Sequence, residues 1–381
     1  MDFDFTPSQK HWHDAAVEFA RAHLDDDVLE RDENREFWRE GWQRCGQFGI
    51  QGLPIPEEFG GKGQGLPETI AAMEGLGYAC ADNGLIFAMN ASMWTNNIPI
   101  LLFGTDEQKR RWLPGLCNGS LVGANGASEV GAGSDIFSMK STAERVDGGW
   151  VLNGRKTWVT SGPIADVYVC YMKTDPTKQA LGISAFIVPK DTPGFRVVRE
   201  IRKLGVRTVP MGELAFEDCR LPADAMLGRE APGAEIFACS MEWERGAILA
   251  GALGAMRRQL ERCIKHARTR EQFGQPIGKF QAVAHRIVGM KVRLESCRPL
   301  VYRIGRLKAE GKNAMTEAAI AKLHVSDCYI KNSLDAVEIF GAMGFASEFG
   351  VEKELRDSVG SLIYSGTNDI MRNLIAKSLG L

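Results

Sequence analysis

The sequence predicts a mostly helical α+β fold: an N-terminal α-helical domain (1–115), a middle antiparallel β-barrel or sandwich domain (116–230) and a C-terminal four-helix-type bundle (231–381). Three observations predict it. Apolar residues recur at three- and four-residue spacing up to about residue 115. From Gly119 to about Arg229 the pattern becomes short β-type runs between glycine, proline and charged breaks. Helical stripes return near Pro232 and continue to the end, with short connections that suit a bundle. At 381 residues the chain is long enough for two or three domains around a large core.

Thr6-Pro7-Ser8 offers a cap and a first-turn proline, and Trp12, Ala15, Ala16, Phe19 and Leu24 follow at helical spacing. A second helix is expected from Phe37 to Phe48, stopping at Gly49. Pro54-Ile55-Pro56 is a rigid turn before the glycine loop around Gly60-Gly61. Helices are then expected over Leu66–Tyr78, Asp82–Phe103 and a short stretch from Thr105. In the middle region Gly149–Gly154 reads as a strand entering an Asn-Gly turn. Val167–Met172, Ile183–Val188, Phe195–Val198 and Glu213–Phe216 read as further strands. The expected C-terminal helices are 233–268, 279–309, 315–341, 349–359 and 367–378.

Composition narrows the function. Charged residues make up 25% and the net charge is −2, so nothing marks a surface for nucleic acid or an anionic membrane. No apolar run approaches the roughly 20 residues of a membrane helix. Met1-Asp2-Phe3-Asp4 is acidic and lacks the basic, apolar and cleavable parts of a signal peptide, so a cytoplasmic location is expected. Nine scattered cysteines without a CxxC read as reduced thiols. Six histidines form no HxxxH or HExxH pair, so no metal site is expected.

Four stretches carry chemistry. Ala127-Ser128-Glu129-Val130-Gly131-Ala132-Gly133-Ser134-Asp135 offers backbone N–H groups and short hydroxyls to an anionic or polar ligand; a plain glycine-rich connection would look the same. Trp158 and Thr160, two apart on a strand, would present an aromatic plate and a hydroxyl on one face, as a flat heteroaromatic ring requires; a core tryptophan is the alternative. Ala267 to Ile277, with Gln281, places Arg270, Gln272 and Phe273 near a helix end, where they could hold a pyrophosphate and an adenine or simply complement the helix dipole. In Tyr364-Ser365-Gly366-Thr367-Asn368-Asp369, Thr367 is the cap of the last helix.

A fifth stretch, Ser240-Met241-Glu242-Trp243-Glu244-Arg245, opens a helix. Behind it Ala247, Ala250, Gly251 and Gly254 leave one face without bulk, open to close packing. Glu244 is either an exposed carboxylate beside Arg245 or a catalytic base.

In this order and frame, the motifs resemble the acyl-CoA dehydrogenase family of flavoproteins. The resemblance covers nearly the whole chain and includes Ile55-Pro56-Glu57-Glu58-Phe59-Gly60-Gly61 and the Phe340-Gly341 region. It implies FAD between the middle domain and the bundle, in a homotetramer whose neighbouring subunits complete each FAD site. By position, it implies that Ala127, Ser128, Ser134, Trp158, Thr160, Thr367 and Asp369 contact FAD, with Arg270, Gln272, Phe273 and Gln281 reaching a neighbour's FAD. Asn125, Ser134, Arg245, Ser365 and Gly366 become the substrate-facing set.

The usual family base follows the tyrosine of the fourth motif, where this chain has Ser365. A minority, including isovaleryl-CoA dehydrogenases, carry the base on the helix opening the bundle, just before an arginine; Glu244-Arg245 matches that arrangement. Ser240–Arg245, Pro163–Asp166 and Ile363–Thr367 are similar to one subgroup, the dehydrogenases of prolyl groups held as thioesters on peptidyl carrier proteins, enzymes of secondary metabolism. The resemblance implies FAD-dependent α,β-dehydrogenation of a thioester, with Glu244 as base and a ribityl hydroxyl and the Ser365 N–H binding the carbonyl. It leaves an electron-transfer flavoprotein or oxygen as reoxidant. A short- or branched-chain acyl-CoA dehydrogenase is the nearest rival; a flavin monooxygenase or nitroalkane-type oxidase and a non-catalytic binding protein are others. Val130 for the family's proline, Asn125 for an aromatic and Glu338 for a glutamine are departures.

Overall fold

The computed structural model describes residues 4–24 and 27–381; Met1-Asp2-Phe3, most of the acidic start, lies outside the described residues. The first helices are α1 (Pro7–His23), α2 (Val28–Asn34), α3 (Arg39–Phe48), α4 (Leu66–Ala79), α5 (Asn83–Ser92), α6 (Ile98–Phe103) and α7 (Asp106–Cys117). Capping boxes open α1 and α7: Thr6 and Gln9, and Thr105 and Gln108, exchange side chain-to-backbone hydrogen bonds of 3.0–3.2 Å. The expected Asp82–Phe103 helix is continuous in direction but carries a π turn at Met93–Asn97. Pro99 lies just beyond that turn and has no N–H to donate backward.

The sheet comprises β1 (Gly123–Gly126), β2 (Thr142–Val146), β3 (Gly149–Thr160), β4 (Val167–Lys173), β5 (Ile183–Pro189), β6 (Phe195–Glu200), β7 (Met211–Pro222) and β8 (Met226–Leu227). Its order is β6-β7-β3-β2-β4-β5-β8, with β1 also on β4. Pairing is antiparallel except for β1 with β4 and a single β2–β4 pair, Thr142 with Lys173. Val167–Met172 and Ile183–Val188 are buried throughout, because elements cover both faces of β4 and β5.

Asn153-Gly154 is not a turn. β3 runs through it, and the ladder to β7 shifts between Leu152 and Gly154, where Gly154 has φ +142°. An Asn-Gly pair suits the positive φ of a bulge as well as that of a turn. The β2–β3 turn lies instead at Asp147-Gly148.

The C-terminal helices are α8 (Gly233–Ala247), α9 (Ala250–Thr269), α10 (Gln281–Ala309), α11 (Met315–Phe340), α12 (Ala342–Phe345), α13 (Val351–Gly360) and α14 (Asn368–Ser378). The expected single helix over 233–268 is therefore two, broken at Ile248-Leu249. Between α9 and α10 a two-residue hairpin joins β9 (Glu271–Gln272) to β10 (Gln275–Pro276). Among the described residues no helix is long and apolar enough to cross a membrane.

The face left open by the small residues after Glu244 is packed by a helix of the N-terminal region. A methyl group at Gly254 would lie 2.1 Å from the Glu74 carbonyl oxygen, and one at Gly77 would lie 2.0 Å from that of Gly251. The close approach is thus between α9 and α4, across the two helical regions. Arg258 extends the contact: it donates to the Cys80 carbonyl at 2.7 Å and pairs with Glu354 at 2.6 Å. Glu74, fully buried on α4, receives Arg298 and Tyr302 of α10, each at 2.9 Å. Gly254→Ala is expected to destabilise the chain by about 1–3 kcal/mol through overpacking. Gly133→Ala, which meets nothing within 4 Å, should change it by no more than about 0.5 kcal/mol. Urea denaturation of both variants checks the pair.

Candidate active site

Glu244 lies in the last turn of α8 and is only 7% exposed. Ser365 sits at φ +57° in the segment between α13 and α14, and its Oγ donates to Glu244 Oε1 at 2.9 Å. Arg245 Nε donates to the Ser365 carbonyl at 2.8 Å, so consecutive residues of α8 grip both ends of that serine. Burial raises the Glu244 pKa above the ordinary carboxylate value; the Ser365 hydrogen bond and the Arg245 and Lys322 charges oppose it in part. No ion pair among the described residues includes Glu244, so the exposed, salt-bridged alternative does not hold. Lys322 is itself buried, with its pKa brought down to about 8 mainly by burial, and donates to Asn368 at 2.8 Å.

Pro99 shapes the neighbouring wall. The carbonyls of Trp94 and Thr95, five and four residues before it, accept side chains instead: Ser240 Oγ at 3.0 Å and Asn125 Nδ2 at 3.3 Å. The π turn thus ties α8 and β1 together. Trp94 stacks on Trp243 with centroids 6.2 Å apart, and Trp94 Nε1 donates to Asn90 at 2.8 Å. Asn125 lies beside the buried Tyr171 hydroxyl, and the Glu244 charge also acts on that phenol. A small cavity of about 30 Å³ is lined by Phe87, Asn90, Ile248, Tyr329 and Tyr364, beside this cluster. A larger cavity of about 270 Å³, along α7 and β5, contains none of the expected site residues.

The loop after β1 is fastened to β3. The Thr157 N–H donates to the Ser128 carbonyl at 2.9 Å. Buried Lys156 donates to Glu129 at 2.8 Å and to the Ala127 carbonyl at 3.3 Å. Glu129 also accepts the N–H groups of Lys140 and Ser141 at 2.7 and 3.0 Å, so one carboxylate closes the loop on itself. Trp158 is 55% exposed at φ +60°, where the β3–β7 register skips from Lys156 to Val159. It is not a core tryptophan. Simple strand alternation fails at this bulge, yet Trp158 and Thr160 are both more exposed than buried Val159 between them. Val130 and Ser134 are exposed.

The remaining expected residues lie elsewhere. Arg270, Gln272, Phe273 and Gln281 are all exposed around the β9–β10 hairpin, Phe273 at 93%. Thr367 caps α14, accepting from the Ile370 N–H at 3.3 Å; exposed Asp369 pairs with Arg372 at 2.8 Å. Glu338, the departure on α11, is paired with Arg286. The structure therefore gathers Glu244, Arg245, Ser365 and Gly366 into one cluster, with Asn125 near it, and Ala127, Ser128, Trp158 and Thr160 into another.

The family models for the acyl-CoA dehydrogenase N-terminal, middle and C-terminal domains match residues 6–120, 124–219 and 232–380. The chain belongs to the acyl-CoA dehydrogenase family. Among members of that family it is 42% identical to an L-prolyl-(peptidyl-carrier protein) dehydrogenase of Pseudomonas fluorescens, with each chain fully covered. A mitochondrial isovaleryl-CoA dehydrogenase of Pongo abelii is 35% identical over 97% of this chain and 88% of its own. Two solved structures share its three-domain fold at a TM-score of 0.97: the prolyl acyl carrier protein oxidase AnaB, 44% identical over 99% of this chain and 100% of its own, and PigA with FAD and proline, 38% identical over all of both chains.

Lys156 and Trp243 stand inside the stretches read from sequence but were given no role there, and Trp94, Tyr171 and Lys322 were not singled out. Only Pro99 within an apolar helical run gave a signal, since an internal proline frees carbonyls for other donors. For Ser365→Ala, loss of a donor to the charged carboxylate should raise the Glu244 pKa further. The acidic limb of the kcat/KM profile is then expected to move to higher pH; an unmoved limb would separate Ser365 from the titrating group.

Proposed function

We propose that the chain is an FAD-dependent dehydrogenase of thioester-bound acyl groups, acting on a prolyl group carried by a peptidyl carrier protein, with Glu244 as base. The observation that carries this is a buried carboxylate, its pKa raised by burial, that accepts a hydrogen bond from Ser365, at the position where the resemblance places the base of most family members. The similarity to carrier-protein enzymes supports the substrate.

The residues fit FAD. Trp158 offers an exposed indole at the end of a strand, with the Ser128 and Thr160 hydroxyls on the same fastened unit. Gly131 and Gly133 have open space where a side chain would stand. FAD, when bound, supplies the acceptor for the hydride leaving substrate Cβ. Everything else falls to the chain. The thioester carbonyl acidifies the Cα hydrogen, and the Ser365 N–H is the backbone donor assigned to that carbonyl. Glu244 takes the Cα proton, and its elevated pKa brings it closer to the acidity of the carbon it deprotonates. Arg245 and Ser365 hold the carboxylate's neighbourhood in place. Asn125, with the Tyr171 hydroxyl, gives the wall polar groups suited to a ring nitrogen. One oxidation yields a pyrroline; a second, with tautomerisation, yields a pyrrole-2-carboxyl thioester.

The exposure of Arg270, Gln272, Phe273 and Gln281 supports their reaching a neighbouring subunit's FAD in a homotetramer. Thr367 and Asp369 complete the FAD contacts, and Ser134 and Gly366 face the substrate. The domain limits 1–115, 116–230 and 231–381, a cytoplasmic location, a secondary-metabolic role and reoxidation by an electron-transfer flavoprotein or oxygen belong to the same reading.

Glu244→Gln should stay yellow and tetrameric while turnover falls by at least about 10²–10⁴-fold. A raised carboxylate pKa means the charged form weakens the fold once pH exceeds the unfolded value, so this variant should also melt higher than wild type at pH 8. Normal turnover would sink the assignment. For the substrate, flavin bleaching is followed with prolyl carrier protein and with isovaleryl-CoA. Bleaching by the carrier protein, with two or four hydrogens lost by mass spectrometry, is expected. Reduction by the CoA ester alone would establish the branched-chain reading instead.

A further inference from the structure

α10 and α11 are the two longest helices, and where they pack, two thiols and an imidazole converge. Cys297 comes from α10; His324 and Cys328 come from α11. Their ligand atoms all lie within 4.8 Å of one another. His324 and Cys328 are four residues apart and share a helix face. Cys328 Sγ lies 3.6 Å from His324 Nε2. A tetrahedral zinc ion imposes that separation: bonds of about 2.3 Å to sulfur and about 2.0–2.1 Å to nitrogen place the two ligand atoms about 3.6 Å apart. Both cysteines are buried and His324 is half-buried. None of the three has a part in the chemistry described above.

The surroundings suit a cation. The Ser296 hydroxyl donates to the Arg293 carbonyl at 2.9 Å and lies 3.0 Å from His324 Nε2. Arg293, on the turn preceding Cys297, has its guanidinium engaged by Asn332 at 2.5 Å and by Asp335. Its charge is thus already paired.

We propose that Cys297, His324 and Cys328 form a binding site for a thiophilic divalent cation, zinc foremost, that joins α10 to α11. On binding, both thiol protons pass to solvent, and the neutral imidazole binds through Nε2 with its proton on Nδ1. The two thiolates balance the 2+ charge, so no further counter-ion is needed in a buried place. Water reaching the half-buried histidine side completes four-coordination. The sulfur-rich set excludes magnesium and calcium, which take oxygen donors. The spacing is His-x₃-Cys with the third ligand on another helix, so a search for HxxxH and CxxC passes over it.

The test uses the FAD-loaded, reduced full chain, equilibrated with zinc sulfate and then dialysed into metal-free buffer. About one zinc ion per chain should remain by elemental analysis, and none in the Cys297→Ser/Cys328→Ser double variant. Zinc should raise the Tm of wild type and leave that of the double variant unchanged. X-ray absorption on wild type alone should read two sulfur neighbours at about 2.3 Å and one imidazole nitrogen, which needs no variant to fold. Loss of zinc from wild type on dialysis, equal retention by the double variant, or a shell of oxygen and nitrogen only would each overturn the proposal.

Discussion

The contact that the rest of the molecule depends on is the seating of α9 on α4 with almost no side chain between them. Gly77, Gly251 and Gly254 bring backbone against backbone, and nothing larger than hydrogen fits at Gly77 or Gly254. Only Ile248 and Leu249 separate α9 from α8, so the position of α9 dictates where α8 ends. Glu244 stands one turn before that end. A helix pair that links the first and last thirds of the chain therefore also aims the proposed base; Arg258 of α9 locks it by donating to the Cys80 carbonyl at the end of α4, while Glu74 ties α4 to α10 through Arg298.

Two kinds of buried charge serve two ends here. Lys156 with Glu129, Arg258 with Glu354, and Lys353 with Asp357 are matched pairs, the last 2.7 Å apart, and each also meets backbone or amide groups. Matched in this way, they fix geometry: the loop after β1, the end of α4, the seat of α13. Glu244 has a hydroxyl partner, and the Arg245 and Lys322 charges act on it without forming an ion pair among the described residues. Its proton affinity is raised because its charge is left incompletely compensated, and that is the property a base needs when the acid is a carbon.

Much of the architecture was legible in the sequence because it is written locally. Thr6 with Gln9 and Thr105 with Gln108 encode their helix starts within four residues, and Gly49 ends α3 in the left-handed region it favours. What was not legible depends on distant neighbours. Asn153-Gly154 has the same chemistry in a turn as in a bulge, and only Phe216 and Ser141 opposite decide between them. Glu244 is buried, and the Ser365 hydroxyl that meets it lies more than a hundred residues away in sequence. The loop motif at 127–135 was readable as polar and small, but nothing local showed that Lys156 of β3 fastens it.

The 2.9 Å between Ser365 Oγ and Glu244 Oε1 bears on how such sites evolve. Glu244 is the base proposed above, Ser365 stands where the resemblance places the base of most family members, and here the two side chains touch. Acids at both would press two carboxylates together, and one would stay protonated at neutral pH to relieve the repulsion. The two placements are thus alternatives and not increments. A lineage moving its base from one to the other gains nothing by holding both, so the vacated position is free to become a small donor such as serine.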